Sequence, residues 1–354
     1  MNKTPLISVI MSVYNEQEYI EDAIRSILDQ TEPDFELIIV DDCSTDDTVK
    51  IIEGLNDDRV ILVRNEENCG LTKNLNKALA MTRGEFIARM DGDDISMPDR
   101  FRVQVDYLSA HPDIMLISCN TTTFGEQRLV SDISGTPEEL KCTMLLRPVL
   151  AHPGFMFRRE LYEEHGFTYD EHFRSAQDYD FAARVTRQFN IAVTPEVLLQ
   201  YRAHKGQVSQ TPNLKQFGFA DEVRTRLLSD LGISLAAHGS DHAAGPVADI
   251  DVYHKWVLEA DASKEDFIEC IRILKKILES NTQTPAKGGA GSNIYDPTTI
   301  RKTLWYQYFK WVLRSNGKKH IFSICGFSIS KYILLMKTLY RMDLSKQKRK
   351  VLVK

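Results

Sequence analysis

Three carboxylates in one four-residue turn are the feature of this sequence best suited to chemistry. Asp91, Asp93 and Asp94 surround Gly92, directly after the apolar run at 85–90. This placement predicts a turn at the carboxyl end of a strand, where open α/β sheets bind their ligands. Carboxylates so close together repel one another, and a bound cation or a dense hydrogen-bond network usually compensates. A solvated acidic turn or a helix N-cap is the alternative interpretation.

The elements that position this turn alternate between strands and helices. Near-continuous apolar runs predict buried strands at 6–13, 35–40, 60–63, 85–90 and 114–118. Apolar faces at helical spacing predict helices between them, at 20–28, 49–55, 71–79 and 101–108. Asn15 and Glu18 have the spacing of a capping box for the first helix. This alternation predicts an α/β fold with a doubly wound, mostly parallel sheet flanked by helices. A G-x-G-x-x-G turn is absent after the first strand, which argues against NAD or FAD binding.

The second half of the chain is less regular and ends in a helical extension. The patterns predict a strand and helix over 152–160, a loop at 166–173, a helix opening at 175–180 and a strand at 197–202. Further helices are predicted at 214–231, 249–261, 264–280, 297–315 and 328–342, with a Gly/Ala-rich linker at 285–292. The expected organisation is therefore three parts, 1–118, 119–210 and 211–354.

Composition and charge restrict the protein class and its partners. With 43% hydrophobic and 27% charged residues, the chain resembles ordinary soluble proteins. Six cysteines without a C-x-x-C pair argue against a disulfide framework or zinc site and suit a reducing cytosol. We expect no signal peptide and no membrane-spanning helix. Residues 301–354 carry fourteen Lys/Arg and one acid, about +13, which leaves about −19 for residues 1–300. A basic tail of this kind predicts an anionic partner.

Taken in order, several short motifs resemble glycosyltransferase family 2, whose fold is called GT-A. They are Ser-Val-Ile-Met-Ser-Val-Tyr-Asn at 8–15, Glu-Leu-Ile-Ile-Val-Asp-Asp-Cys-Ser-Thr-Asp at 36–46, Arg-Gly-Glu-Phe-Ile at 83–87, Asp-Gly-Asp-Asp at 91–94, Phe-Arg-Arg at 157–159, Gln-Asp-Tyr-Asp at 177–180 and Tyr-Arg-Ala-His at 201–204. The resemblance covers residues 6–210 and leaves about 140 residues uncovered. It implies transfer of a sugar from a nucleotide-sugar donor with inversion at the anomeric carbon.

The resemblance assigns the acidic turn to a divalent metal and the donor diphosphate. Asp93 matches the principal metal ligand, and Asp91 matches a group acting through water or on the ribose. Mn²⁺ or Mg²⁺ would stabilise the departing diphosphate. Asp94 could assist either role or cap the next turn. His204 matches a position near the diphosphate and is either a further metal ligand or a structural histidine.

The nucleoside site is assigned in the same way. Asp41 matches the aspartate that accepts the uracil N3–H, although helix capping is an alternative for it. This assignment favours a UDP- or dTDP-sugar over a GDP-sugar. The family's arginine in the following helix is replaced by Leu75, and Lys73 could supply the missing phosphate contact. The remaining nucleotide contacts are assigned to Ser12, Tyr14, Glu16 and Gly92.

One carboxylate is enough for an inverting displacement, because it deprotonates the acceptor hydroxyl on the face opposite the leaving group. Asp178 matches this base, with a helix N-cap as its alternative. Asp180 is predicted to face away from Asp178 as a cap or surface charge. For His152, a structural role and a substrate contact stay open.

These assignments give a functional hypothesis for each part of the chain. Residues 1–118 bind the nucleotide-sugar, residues 119–210 bind the acceptor and supply the base, and 211–354 form a helical extension with a basic tail from 301. The Gln-x-x-Arg-Trp motif of processive synthases is absent, which predicts transfer of one sugar per encounter. The expected acceptor is a glycan or polyprenyl-diphosphate-linked sugar, as in O-antigen or capsule assembly.

The expected location follows from the basic, aromatic tail. We expect a cytoplasmic protein, with the tail docked on the anionic inner face of the cytoplasmic membrane. The alternative is a helical cap packed on the catalytic part. No nucleic-acid partner is expected. A catalytically inactive nucleotide-sugar-binding protein and a metal-dependent nucleotidyltransferase are the competing functions.

Overall fold

The computed structural model describes residues 4–125, 129–204, 214–236, 247–249, 263–283 and 294–314. It divides the chain into two compact units, Met1–Leu227 and Leu228–Lys354. The first unit contains the predicted sheet and every predicted site residue. The predicted three-part division at residues 118 and 210 stays a prediction.

An eight-stranded mixed sheet forms the centre of the first unit. Its strands are β1 (Ile7–Val13), β2 (Phe35–Asp41), β3 (Val60–Arg64), β4 (Phe86–Asp91), β5 (Ile95–Ser96), β6 (Ile114–Gly125), β7 (Met156–Arg158) and β8 (Asn190–Ala203). Across the sheet they are ordered β3-β2-β1-β4-β7-β6-β8-β5. Strands β1 to β4 are parallel to their neighbours in this group, and β6 is parallel to β8, whereas β7 and β5 run antiparallel. The predicted α/β class with a mostly parallel sheet is confirmed.

Helices cover the sheet with amphipathic faces. They are α1 (Ile20–Leu28), α2 (Thr48–Gly54), α3 (Leu71–Leu79), α4 (Arg100–Ala110), α5 (Pro137–Thr143), α6 (Glu160–Glu163), α7 (Gln177–Thr186) and α8 (Leu214–Ser229). In α1, for example, Ile20, Ala23, Ile24 and Ile27 recur at helical spacing and are fully buried. The sheet core therefore lies between layers of helices, as the sequence pattern predicts.

The strand register brings the predicted site residues to one edge of the sheet. Val13 at the end of β1 lies opposite Asp41 of β2, and Ser12 lies opposite Asp91 of β4. Parallel neighbours are about 4.8 Å apart, so Asp41 and Asp91 end two strands roughly 10 Å apart. The loops that follow these strands therefore begin at the same edge of the sheet.

A glycine contact fixes this register at the opposite edge. A Cβ atom on Gly84 would lie 2.5 Å from the backbone nitrogen of Ser8, too close for any other residue. The Ser8 hydroxyl donates to Glu36 Oε1 at 2.6 Å and accepts from the backbone N–H of Gly84 at 2.8 Å. Arg83 Nε donates to the other Glu36 oxygen at 2.9 Å. These contacts join β1, β2 and the start of β4.

One local prediction is wrong. Helix α1 begins at Ile20 without a side-chain cap, so Asn15 and Glu18 form no capping box. Asn15 instead has φ 55° and accepts a hydrogen bond from the N–H of Thr45 at 2.8 Å. Asp249, the first residue of the helix predicted over 249–261, ends a short strand. The rest of that helix, the linker at 285–292 and the helix at 328–342 lie outside the described residues.

The second unit contains two short strands and two long helices in its described part. They are β9 (Ser234–Ala236), β10 (Val247–Asp249), α9 (Lys264–Gln283) and α10 (Pro297–Arg314). Helices α9 and α10 pack together through apolar faces. Tyr308 and Trp311 of α10 are fully buried there and belong to the core of this unit. Among the helices that the structure describes, none is both long and apolar enough to cross a membrane.

Candidate functional site

The acidic turn is a compact cluster of oxygen ligands. One carboxylate oxygen from each of Asp91, Asp93 and Asp94 lies within 4.8 Å of the other two. Asp91 forms a two-pronged ion pair with the guanidinium group of Arg89, which is 2% exposed. Arg89 thus engages both oxygens of Asp91. The predicted division of roles between Asp93 and Asp91 stays a prediction.

Two residues at the end of β8 hold the turn from the other side. His204 Nε2 lies 3.1 Å from Asp93 Oδ2, so both atoms can face one cation. Arg202 donates from its backbone N–H to Asp94 Oδ1 at 2.9 Å and from Nε to the Asp93 carbonyl at 2.7 Å. Its guanidinium lies between the rings of Tyr19 and Phe124, 4.6 and 4.5 Å from their centroids.

Asp94 is the buried member of the cluster. It is fully buried, and its Oδ2 atom has no hydrogen-bond partner among the described residues. Burial and the charges of Asp91 and Asp93 raise the pKa of Asp94 well above its usual value. Below the turn lies Arg100, also fully buried, which donates to the carbonyl of Arg89 at 2.7 Å. Burial lowers the pKa of Arg100 to about 10.

The electrostatics of this cluster fit a divalent cation. Burial and the charges of Asp93 and Asp91 raise the pKa of Glu16 to about 8. Burial raises the pKa of Asp91 to about 6 despite the opposing charge of Arg89. Burial and neighbouring carboxylates thus disfavour the ionised forms of Glu16, Asp91 and Asp94, and a hard cation with oxygen ligands would relieve that repulsion. The residues present therefore fit Mg²⁺ or Mn²⁺.

Asp41 offers an unpaired acceptor at the neighbouring strand end. It is 1% exposed, and its Oδ2 atom accepts from the Ser44 N–H at 3.1 Å. Its Oδ1 atom is buried without a hydrogen-bond partner in the described part of the chain. At the start of the next helix, the N–H of Thr48 donates to Asp46 Oδ1 at 3.0 Å and not to Asp41. The helix-capping alternative for Asp41 is therefore wrong.

Asp42 has a different role from its neighbour. Its two oxygens accept from the backbone N–H groups of Cys69 and Gly70 at 2.7 and 2.8 Å, and from Asn65 Nδ2 at 2.9 Å. These hydrogen bonds lower the pKa of Asp42 against the opposing effect of burial. Asp42 thus fixes the loop before α3, while Asp41 keeps an oxygen for a ligand.

The other predicted nucleotide residues lie around the same strand ends. Ser12 accepts a hydrogen bond from Asn74 Nδ2 at 3.1 Å, and the ring of Tyr14 is 46% exposed beside the crevice. A Cβ atom on Gly92 would lie 3.0 Å from Val13 Cγ1, so a side chain there would crowd the turn. Lys73 is exposed on α3 and makes no hydrogen bond to the described residues. Leu75 is fully buried in the core and cannot replace the family's arginine.

Asp178 lies in the first turn of α7, close enough to Asp91 for its charge to raise the pKa of Asp91. Burial raises the pKa of Asp178 itself, while backbone N–H groups of the helix start and Arg89 lower it. The residue before the helix, Ala176, has φ 58°, a conformation that is unfavourable for alanine. Asp178 therefore lies within electrostatic range of Asp91 in the acidic turn.

Two neighbours of this helix are structural. Asp180 is 1% exposed and accepts from Arg184 Nε at 2.7 Å, so the prediction of a surface charge is wrong. Arg226, 46 positions further along the chain, approaches its other oxygen at 3.4 Å. His152 is 7% exposed and lies 3.0 Å from the Tyr169 hydroxyl. Burial lowers the pKa of His152 well below its usual value, so it is neutral and structural.

Sequence reasoning missed Arg89 and Arg202 as parts of the site. Arg89 interrupts an otherwise apolar strand, and an arginine there signals a buried charge that needs a carboxylate partner. Arg202 follows an apolar strand in the same way. Both signals were present in the sequence, but the identity of their partners depends on the fold.

Comparisons with known proteins agree with this arrangement. The family model described as Glycosyl transferase family 2 matches residues 8–166. An uncharacterized glycosyltransferase of Haemophilus influenzae is 30% identical over 271 residues, which are 72% of this chain and 82% of that protein. The putative teichuronic acid biosynthesis glycosyltransferase TuaG of Bacillus subtilis is 40% identical over 138 residues, 38% of this chain and 52% of that protein.

A solved structure extends the similarity in fold beyond the family match. The crystal structure of S. aureus TarS 1–349 in complex with UDP-GlcNAc has a TM-score of 0.54 and 17% sequence identity. The alignment covers 86% of this chain and 91% of that chain.

Proposed function

The chain belongs to glycosyltransferase family 2, with the GT-A fold, and on this basis we propose that it is an inverting, metal-dependent transferase. It moves one sugar from a UDP- or dTDP-sugar to a glycan or lipid-linked acceptor in bacterial surface polysaccharide assembly. Family membership favours sugar transfer over the nucleotidyltransferase alternative. TuaG, whose name places it in teichuronic acid biosynthesis, supports the polysaccharide context.

The observation that carries the proposal is the meeting of three distinct carboxylate groups in one crevice. Asp41 presents an unpaired oxygen, the acidic turn presents a ligand cluster, and Asp178 lies within electrostatic reach of Asp91. These are the three functions an inverting transfer needs, namely base recognition, diphosphate neutralisation and proton abstraction.

Asp93 and His204 would hold the metal, with Asp91 and Asp94 completing its oxygen surroundings. When bound, Mn²⁺ or Mg²⁺ neutralises the charge that develops on the departing diphosphate. Arg89 holds Asp91 in one orientation and keeps a positive charge at the base of the crevice. Burial of this cluster strengthens every one of these interactions by lowering the local dielectric constant.

Asp178 acts on the acceptor. Its carboxylate takes the proton of the acceptor hydroxyl, whose oxygen then forms the bond to the anomeric carbon. The bond from that carbon to the diphosphate oxygen breaks at the same time, and the nucleoside diphosphate leaves with the electron pair. Burial raises the pKa of Asp178, and the helix N–H groups and Arg89 favour its ionised form in opposition to that effect.

Asp41 supports a donor with a ring N3–H. Its unpaired oxygen would accept a hydrogen bond from the N3–H group, which uracil and thymine carry and cytosine lacks. TarS, with its related fold, was crystallised with UDP-GlcNAc, which is consistent with a uridine donor. Ser12, Tyr14, Glu16, Gly92 and Lys73 complete the proposed nucleotide surroundings.

A nucleotide-sugar panel tests the proposal. Each UDP-, dTDP- and GDP-sugar is incubated with the protein and Mn²⁺, and slow hydrolysis is measured as nucleotide release with and without chelator. We expect chelator-sensitive release from at least one UDP- or dTDP-sugar. Release from GDP-sugars alone, or from none of the panel, contradicts the proposed donor class.

The proposed location is the inner face of the cytoplasmic membrane, where a lipid-linked acceptor is presented. Residues 315–354 contain ten Lys/Arg and a single acid, and such segments bind anionic lipid. Tyr308 and Trp311 are buried in α10, so the cut that tests docking belongs after Arg314. Co-sedimentation with phosphatidylglycerol vesicles should be lost on this truncation, and binding that persists contradicts docking by the tail.

A further inference from the structure

The segment 168–173 contacts both the donor-binding helix and the helix that carries the base. We call these six residues the strut. They follow α6 and precede α7, and they lie against α3 on one side. Because donor and base come from separate parts of the sheet, a connection between them fixes the reacting groups relative to each other.

Helix α3, on the donor side, forms hydrogen bonds with Tyr169 and Phe173 of the strut. Asn76 donates from Nδ2 to the Tyr169 carbonyl at 2.8 Å, and its Oδ1 accepts from the Tyr169 N–H at 2.9 Å. One amide side chain thus pairs with both backbone groups of one residue. Thr72 Oγ1 donates to the Phe173 carbonyl at 2.8 Å. Asn74 of the same helix donates to Ser12, so α3 is joined to the proposed nucleotide site.

On the side of the base, arginines of α7 and α8 contact Thr168 and Asp170 of the strut. Arg184 of α7 donates from Nη2 to the Thr168 carbonyl at 2.7 Å and from Nε to Asp180 at 2.7 Å. Arg226 of α8 lies 3.5 Å from Asp170 and 3.4 Å from Asp180. Asp180 is two positions from Asp178 on the same helix, so these contacts fix the helix turn that carries the base.

Tyr169 contacts both α3 and α7. Its side chain is 1% exposed, and its ring stacks on Phe181 of α7 with centroids 4.8 Å apart and an interplanar angle of 25°. Its hydroxyl meets His152 at 3.0 Å. Backbone, ring and hydroxyl of this residue are therefore each held by a different element.

We propose that the strut sets the separation between the bound donor and Asp178, with Asn76 and Arg226 as the positioning residues on its two sides. The inference rests on the proposed function, because it assigns the base to Asp178. Neither residue touches the reacting atoms. Small displacements of a reacting group reduce rates strongly, with about 1 Å costing up to roughly 100-fold.

The test separates positioning from general stability with the full-length protein. The variants are Asn76→Ala and Arg226→Gln, each alone and combined with Asp178→Asn. The control is Asn190→Ala, which removes one exposed hydrogen bond to Asp113 at the far end of β8. The measurements are kcat for Mn²⁺-dependent UDP-sugar hydrolysis and the Kd of UDP by calorimetry.

We expect Asn76→Ala to lower kcat roughly tenfold, with the Kd of UDP changed less than about twofold. In the Asp178→Asn background, the same change should cost no further activity, because its effect passes through Asp178. Arg226→Gln should show the same pattern, and Asn190→Ala should match the wild type.

Three outcomes overturn the strut. Unchanged kcat in both variants, a loss of UDP affinity as large as the loss in kcat, or an equal loss in the Asp178→Asn background each contradicts positioning. A different result overturns the proposed function as well, namely wild-type hydrolysis that Asp178→Asn leaves unchanged.

Discussion

The donor side and the base side of the crevice are built by different means. On the donor side, Asp41 and Asp91 end β2 and β4, which lie on either side of β1 in a parallel sheet, and the strand register fixes their spacing. On the base side, Asp178 sits on a helix whose place depends on Arg226, Tyr169 and other contacts distant in sequence. The strand register therefore sets the spacing of the proposed donor site, whereas the position of the proposed base depends on tertiary packing.

The largest expected effect belongs to the base side. Asp178→Asn keeps the shape of the side chain but cannot accept the acceptor proton. We expect transfer to fall about 10²- to 10⁴-fold, with the Kd of UDP unchanged. Rate assays and calorimetry check this, with Asp47→Asn on the exposed surface as the matched control. A rate equal to that of the wild type would show that Asp178 is not the base. The comparison of a donor side with a base side would then no longer apply.

On the donor side, the largest effect is expected at Asp93. Asp93→Asn removes the charged ligand that lies 3.1 Å from His204. The affinity for Mn²⁺ should fall at least roughly 10- to 100-fold, the loss known for weaker outer contacts. Calorimetric titration of Mn²⁺ in the presence of UDP measures this. An equal effect from Asp99→Asn, an exposed aspartate, would show that general charge and not ligation is responsible.

A change of donor base sharpens the comparison further. In Asp41→Asn, the amide oxygen has to satisfy the Ser44 N–H, which leaves Nδ2 facing the base. A donor there opposes the N3–H of uracil but suits the N3 acceptor of cytosine. We expect UDP affinity to fall about tenfold and CDP affinity to rise. Unchanged affinities for both nucleotides would place the base elsewhere.

The pH dependence gives the smallest effect. Burial raises the pKa of Asp178, and the base acts only when deprotonated. Activity should therefore be full above this pKa and decline about tenfold per unit below it. The decline should begin at a higher pH than for an ordinary aspartate. Measurement of kcat as a function of pH checks this decline. Activity that stays constant down to the usual pKa range of aspartate contradicts the prediction.

The same difference between the two sides explains what the sequence could predict. The runs that became β1, β2 and β4 are apolar on both faces, so their strands and the turn of Asp91 were predictable. The roles of Asp41 and Asp93 were assigned from the family resemblance, whose motifs lie directly at strand ends. Local pattern and parallel pairing are enough to predict where such residues lie, but not what they bind.

The failures involve partners that are distant in the chain. Asn15 was predicted to cap α1, but its side chain accepts a hydrogen bond from the N–H of Thr45 instead. Asp180 was predicted at the surface, but Arg226 and Arg184 bury it. Pattern reasoning assigns a polar side chain to its nearest helix or to solvent, and a tertiary partner overrides both.

Arg100 makes the acidic turn inseparable from the interior beneath it. Its guanidinium is fully buried and donates to the carbonyls of Arg89 and Phe155 and to Gln104, with no ion pair within the described ranges. Burial and the charge of Arg89 lower the pKa of Arg100, and the charge of Asp94 is among those that oppose them. Neutralising Asp94 to alter metal preference would therefore also change the electrostatic surroundings of a buried arginine. Redesign of this turn therefore has to consider Asp94 and Arg100 together.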